Sequence, residues 1–338
     1  MTIIPALFGY LADGTPVHEH TIGCGRLTAS IIGYGAAIRD LWLEGAGGRK
    51  SVVLGFASLA DYVDHSPHFG CIAGRCANRI RDGRFNLAGR AVQLSTNLEG
   101  RHHIHGGFAG FGRRAWTMME TSSTSVTLEL VSADGDEGYP GNLVARCRYG
   151  VSGEDTLRID LSATTDAPTL VNLAPHSYFN LDGSVSILSH RLALFADRYT
   201  PTDNDAFPTG ALVPVAGTRF DFRQRQPVSR SVANGGSLDH NFALADAPRT
   251  LPRLAARLEA ASGDLSLEIS TTEPGLQVYD GSWLAVPVEG HNGRRAGRHN
   301  GICLEPQRFP DAIHHPHFPD AVLWPGQEYK QRTEYRFL

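Results

Sequence analysis

Runs that alternate apolar and polar residues recur along the chain. In SVTLELVS (125–132) Val126, Leu128 and Leu130 fall on one side, and in TLRIDLSATT (156–165) Leu157, Ile159 and Leu161 do the same. A period of two marks a strand with one buried face. The turn dipeptides Asp82-Gly83, Asp134-Gly135, Asp182-Gly183 and Ser262-Gly263 divide such runs at short intervals, as hairpins of antiparallel sheets require. One stretch reads two ways. Leu251, Leu254 and Leu258 have helical spacing among good helix formers, Ala255, Ala256, Ala260 and Ala261. Ser262-Gly263 and the alternating Leu265, Leu267 and Ile269 that follow favour a hairpin over 256–270 instead. Short helices are predicted over SLADYVDHS (58–66) and SLDHNFAL (237–244). The strand–helix–strand rhythm of a parallel sheet is missing. With no internal repeat, low-complexity tract or polar linker, the expectation is an all-β fold, one large antiparallel sandwich over 1–338 with a few short helices.

Composition narrows the function classes. A length of 338 residues allows one or two domains, and a formal net charge of −4 with scattered Lys and Arg offers no basic stripe for a phosphate backbone. Nucleic acid is not an expected partner. The start, MTIIPALFGYLADGTPVHEH, lacks a charged segment followed by an unbroken apolar one, and no segment reaches the ~18 apolar residues that span a bilayer. A cytoplasmic protein without a membrane partner is expected. The five cysteines are an odd number without a CxxC pair, so reduced thiols in ordinary packing are expected, Cys71 and Cys76 included.

Five stretches are rich in groups that move protons or grip hydroxyls: GRCANRI (74–80), HHIHGG (102–107), NLAPHSYFNLDG (172–183), SLDHNF (237–242) and CLEPQRFPDA (303–312). Each has a bland alternative. Asn78 and Arg79 suit vicinal oxygens, but an arginine near a turn is commonly just surface. Histidines at alternating positions can ligate a metal, transfer protons or line a loop, and the glycine pair lets a backbone or ligand approach His105. His176 sits in an apolar setting that suits either a tuned acid or a structural histidine. Asp239 can accept two hydroxyls or cap a helix. Glu305, between Leu304 and Pro306, needs a reason to tolerate burial. An acid, a base and several hydroxyl binders, without a phosphate loop, dinucleotide glycines or a nucleophile elbow, suit the opening of a sugar hemiacetal, which needs proton transfer and no redox cofactor.

In this order and over nearly the whole chain, the five motifs resemble those of the aldose 1-epimerases, or galactose mutarotases, whose pattern here reads GRCANRI, HIHGG, PHSYFNL, LDHNF and LEPQRFPDA. The resemblance implies a β-supersandwich without metal or other cofactor, acting on a monosaccharide as a monomer or weak homodimer. It implies Glu305 as general base at the anomeric hydroxyl, His176 as general acid at the ring oxygen, and His105 as a donor to the sugar. Asn78, Arg79, Asp239 and, in PGLQVYDG, Gln277 would bind hydroxyls, with Tyr178 backing His176. The chain departs from the pattern at Pro175, where Asn often precedes the acid, at His103, and in the histidine-rich tail around His314, His315 and His317, which is expected to face solvent. Three other readings stand beside it. Asp239 and Glu305 could form a glycoside hydrolase pair. The polar residues could merely hold a sugar in a non-catalytic carbohydrate-binding protein. Arg101, Arg113 and Arg114 leave room for a hexose-6-phosphate 1-epimerase.

Overall fold

Alternation along the chain becomes three large antiparallel sheets, beside several two-stranded pairs. The computed structural model describes residues 3–45, 48–153 and 155–338. The largest sheet runs, in spatial order, Thr117–Thr121, Ser125–Ser132, Leu143–Ser152, Thr156–Thr165, Tyr329–Phe337, Ser266–Thr271, Arg253–Glu259, Arg191–Leu194 and Gln226–Pro227. Val126, Leu128, Leu130, Leu157, Ile159 and Leu161 are all buried, as their spacing predicts. The C-terminal strand inserts between Thr156–Thr165 and Ser266–Thr271 and sends Tyr329, Gln331, Thr333, Tyr335 and Phe337 inward.

A second sheet is ordered Tyr178–Phe179, Ile302–Gln307, Gly275–Tyr279, Asp239–Ala243, Arg198–Tyr199 and Val213–Pro214. The N-terminal strands Ala6–Tyr10, Pro16–Cys24, Leu27–Ile32, Ala37–Gly45 and Gly48–Ser51 form a simple meander. One continuous apolar cluster joins all three sheets. Ile22, Ala29 and Ile31 meet Val126, Ile159 and Tyr335 there, together with Leu276, Val278, Ile302 and Leu304. The fold is therefore an all-β antiparallel sandwich.

The hairpin expected over 256–270 is present. Arg253–Glu259 pairs with Ser266–Thr271, Leu258 faces Leu267, and Gly263 supplies the positive φ at the tip. The helix expected at 58–66 is also present as Leu59–His65, capped by the Ser58 hydroxyl, which accepts the Asp61 N–H at 3.2 Å. The second predicted helix is wrong, and so is the thought of Asp239 as its cap: Asp239–Ala243 is a strand. Leu238 and Phe242 stand four apart and imitate a helical stripe, whereas the pairing partners, Gly275–Tyr279 and Arg198–Tyr199, are distant in sequence. No helix among the described residues is long and apolar enough to cross a membrane.

Candidate active site

One face of the second sheet is polar, and strand alternation explains why. Ile302 and Leu304 enter the core, so Cys303, Glu305 and Gln307 share the opposite face. Gln277 lies directly across from Glu305, Asn241 across from Gln277, and Asp239 across from Tyr279. The Gln277 amide donates to Asp239 Oδ1 at 2.6 Å. Gln307 Nε2 lies 3.4 Å from both Asn241 Oδ1 and Gln277 Oε1. The row is thus held by its own side chains before any ligand arrives.

Loops bring the imidazoles to this row. The short strand Ala174–Pro175 pairs with Ile72–Ala73, after which the His176 N–H donates to the Cys71 carbonyl at 2.8 Å and the His176 carbonyl accepts the Gly70 N–H at 3.0 Å. Pro175 has no N–H to give, so the clamp is made by His176's own peptide groups. It sets His176 Nε2 3.4 Å from Glu305 Oε2 and Nδ1 3.6 Å from Cys303 Sγ. The Tyr178 ring lies 5.3 Å from the imidazole, inclined by 31°, and its hydroxyl donates to the Pro67 carbonyl at 3.1 Å.

Arg79–Ile80 pairs with His103–Ile104 and carries the other half of the site. The Asn78 N–H donates to His105 Nδ1 at 3.3 Å while the His105 N–H donates to the Asn78 carbonyl at 3.1 Å. A backbone amide can only donate, so the neutral His105 ring carries its proton on Nε2. Its ring lies 5.2 Å from that of His176. Gly106 is needed for the backbone: a Cβ there would stand 1.6 Å from the Gly74 carbonyl oxygen. Arg79 reaches Asp239 at 3.4 Å. All eight residues singled out from the sequence therefore meet in one cluster, with His176, Tyr178, Gln277 and Glu305 buried and His105, Arg79 and Asp239 half-buried around them.

Burial controls the charges. It drives the Glu305 carboxyl well above its usual range, helped by the nearby Asp239 carboxylate and opposed by Arg79. It drives His176 down to about 4 and His105 well below an ordinary histidine. The carboxyl and imidazole of Glu305 and His176 approach to 3.4 Å, and the opposite directions of their shifts favour one proton held between the two.

The sequence reading missed three members of the cluster. His68 packs against both His105 and His176. Cys71 and Cys303, expected to do no more than fill space, each place a sulfur beside an imidazole, 3.7 Å from His68 Nδ1 and 3.6 Å from His176 Nδ1. All five cysteines are free. His176, Cys303 and Glu305 present one ligand atom each within 4.8 Å, a set that zinc accepts, and an ion there would separate the imidazole of His176 from the carboxyl of Glu305. His102 and His103 are structural: His102 Nδ1 accepts the Asp82 N–H at 3.0 Å, and His103 bridges the Ser95 carbonyl and the Tyr139 hydroxyl at 2.7 Å each. Of the three histidines in HHIH, one belongs to the site. His314 and His317 are exposed as expected, whereas His315 is half-buried against Phe318.

The aldose 1-epimerase family model matches residues 18–336. The chain belongs to that family. Among aldose 1-epimerase relatives, it is 38% identical to the galactose mutarotase of Mus musculus over all of this chain and 99% of that one. It is 35% identical to the aldose 1-epimerase of Escherichia coli (strain K12) over 96% of each. A solved aldose epimerase homologue from C. elegans superposes with a TM-score of 0.89 at 29% identity, covering 95% of this chain and 99% of that one. Aldose 1-epimerases are isomerases acting on carbohydrates, so membership supports mutarotase activity on a monosaccharide.

Proposed function

We propose that the protein interconverts the α and β anomers of a free aldose such as galactose or glucose, with Glu305 as base and His176 as acid. Glu305 takes the proton of the anomeric hydroxyl as Nε2 of protonated His176 gives one to the ring oxygen. The bond from the anomeric carbon to the ring oxygen breaks, the aldehyde forms, rotates and recloses on its other face, and both protons return. The observation that carries this reading is the 3.4 Å approach of His176 Nε2 to Glu305 Oε2. The two sugar oxygens share one carbon, so an acid and a base must work side by side.

Carboxylate with imidazolium starts ring opening, and carboxylic acid with neutral imidazole is what remains afterwards. Both hold one proton. Burial raises Glu305 and lowers His176, so the free site favours the second arrangement, and the reactive one is reached when that proton moves from Glu305 to His176 across their 3.4 Å contact. Asn78, Arg79, Asp239, Gln277 and His105 would hold the hydroxyls while the aldehyde turns.

Two of the three arginines that left a phosphorylated sugar open are already engaged, Arg101 with Asp82 at 2.8 Å and Arg114 with Asp136, which favours a neutral sugar. Arg113, near enough to act on His68 and Cys71, is the residue on which a phosphorylated sugar would depend. Polarimetry of freshly dissolved α-anomers over several aldoses tests the reading: at least one should reach equilibrium faster with the protein, and none doing so contradicts it. Arg79→Ala should raise KM by about 10- to 100-fold with a smaller change in kcat, because a charge-assisted hydrogen bond contributes about 1.5–3 kcal/mol. An unchanged KM in the same assay would remove Arg79 from the sugar site.

A further inference from the structure

His68 lies outside every motif discussed so far, yet its ring is 4.7 Å from that of His105 and 5.6 Å from that of His176. The three imidazoles touch one another in a closed triangle. His68 also has a φ of 70°, a left-handed conformation that a non-glycine residue keeps only where its surroundings hold it. Its neighbours do so: the Phe69 N–H donates to the Ser66 hydroxyl at 2.9 Å, and the Cys71 N–H to the His68 carbonyl at 3.3 Å.

The nitrogens of His68 are used unequally. Nδ1 lies 3.7 Å from Cys71 Sγ. Burial pushes that thiol up to about 12, so it keeps its proton and meets Nδ1 as a neutral group able to donate or accept. In either tautomer of the neutral ring, Nε2 is the nitrogen left to hydrogen-bond a ligand hydroxyl. Nε2 has no hydrogen-bond partner among the described residues, and the side chain is half-buried, like His105, Arg79 and Asp239. At His105 Nδ1 is likewise occupied, there by the Asn78 N–H, which leaves Nε2 as a donor. Burial, with the neighbouring His176 and Arg113, brings His68 down to about 3, so near neutral pH it has no extra proton to transfer.

We propose that His68 is a specificity-determining contact of the sugar site, its Nε2 hydrogen-bonding one hydroxyl of the bound aldose. This rests on the anomer exchange proposed above. A ring that served only as packing would need no nitrogen without a protein partner, and phenylalanine would replace it at no cost to recognition.

The test is polarimetric, with wild type, His68→Phe and His68→Gln, on galactose, glucose and their deoxy analogues lacking one hydroxyl at a time. One deoxy sugar should show a wild-type KM raised by about 3- to 10-fold, the usual effect of losing a neutral hydrogen bond. His68→Phe should raise the KM of the parent sugar by a similar factor without raising that of this analogue further. His68→Gln, whose amide can both donate and accept, should restore part of the loss, and this rescue separates a lost contact from a disturbed fold. If His68→Phe leaves every KM unchanged, or lowers kcat for all sugars alike at constant KM, His68 is not a sugar contact. A wild-type protein inert toward every aldose overturns the functional reading itself, and this assignment with it.

Discussion

Glu305→Gln should lower kcat by about 10²- to 10⁴-fold, the usual contribution of a single general base. The amide has the size of the carboxyl but cannot take the anomeric proton. The change should leave folding intact, because the carboxyl is 3% exposed and its burial disfavours the charged form. Replacing a buried ionisable group by a neutral one of equal shape removes a desolvation cost. A thermal melt no lower than wild type, together with the lost turnover measured polarimetrically, is the expected pair of results. Turnover near wild type would mean that another group takes the proton.

His176→Asn should cause a loss of similar size, for the matching reason at the ring oxygen. This ring also packs against Tyr178, His105 and His68, so part of any loss could come from disturbed packing. His176→Gln separates the two effects: its longer side chain fills more of the volume yet cannot act as an acid. Both variants should be slow, and a Gln variant that regains most of the rate would reduce His176 to a packing role. The glycoside hydrolase alternative fares poorly beside this geometry. Asp239 is engaged by Gln277 and Arg79, whereas the buried group facing Glu305 is an imidazole.

Much of this was legible in the sequence, for identifiable reasons. Two strands of the nine-stranded sheet, Ser125–Ser132 and Thr156–Thr165, alternate between buried and more exposed positions, so alternation revealed them directly. The strands of the site do not obey that simple rule. Ile302–Gln307 is buried on both faces, and Asp239–Ala243 puts polar groups toward the site, so periodicity hid the first and misread the second as a helix. There the motifs carried the reading, and all eight residues they named meet in the cluster. His68 stayed invisible because SPHFG has no neighbouring group to mark it; only its ring contacts with two distant histidines do so. Cys71 and Cys303 were read as filler because a buried thiol looks the same in sequence whether it packs against leucine or beside an imidazole.

The account depends on Glu305 and His176 sharing a single proton beside the anomeric carbon. The pH dependence of kcat/KM, followed by polarimetry, tests this most directly. Below about pH 4, where His176 binds a second proton while Glu305 keeps its own, the base is lost and the rate should fall. As pH rises through the elevated value of Glu305, the pair loses its one proton, the acid is lost, and the rate should fall again. A plateau between these two limbs, with the alkaline limb well above the usual carboxyl range, is the predicted profile. A rate that climbs steadily with pH, as attack by hydroxide alone would give, contradicts the shared proton.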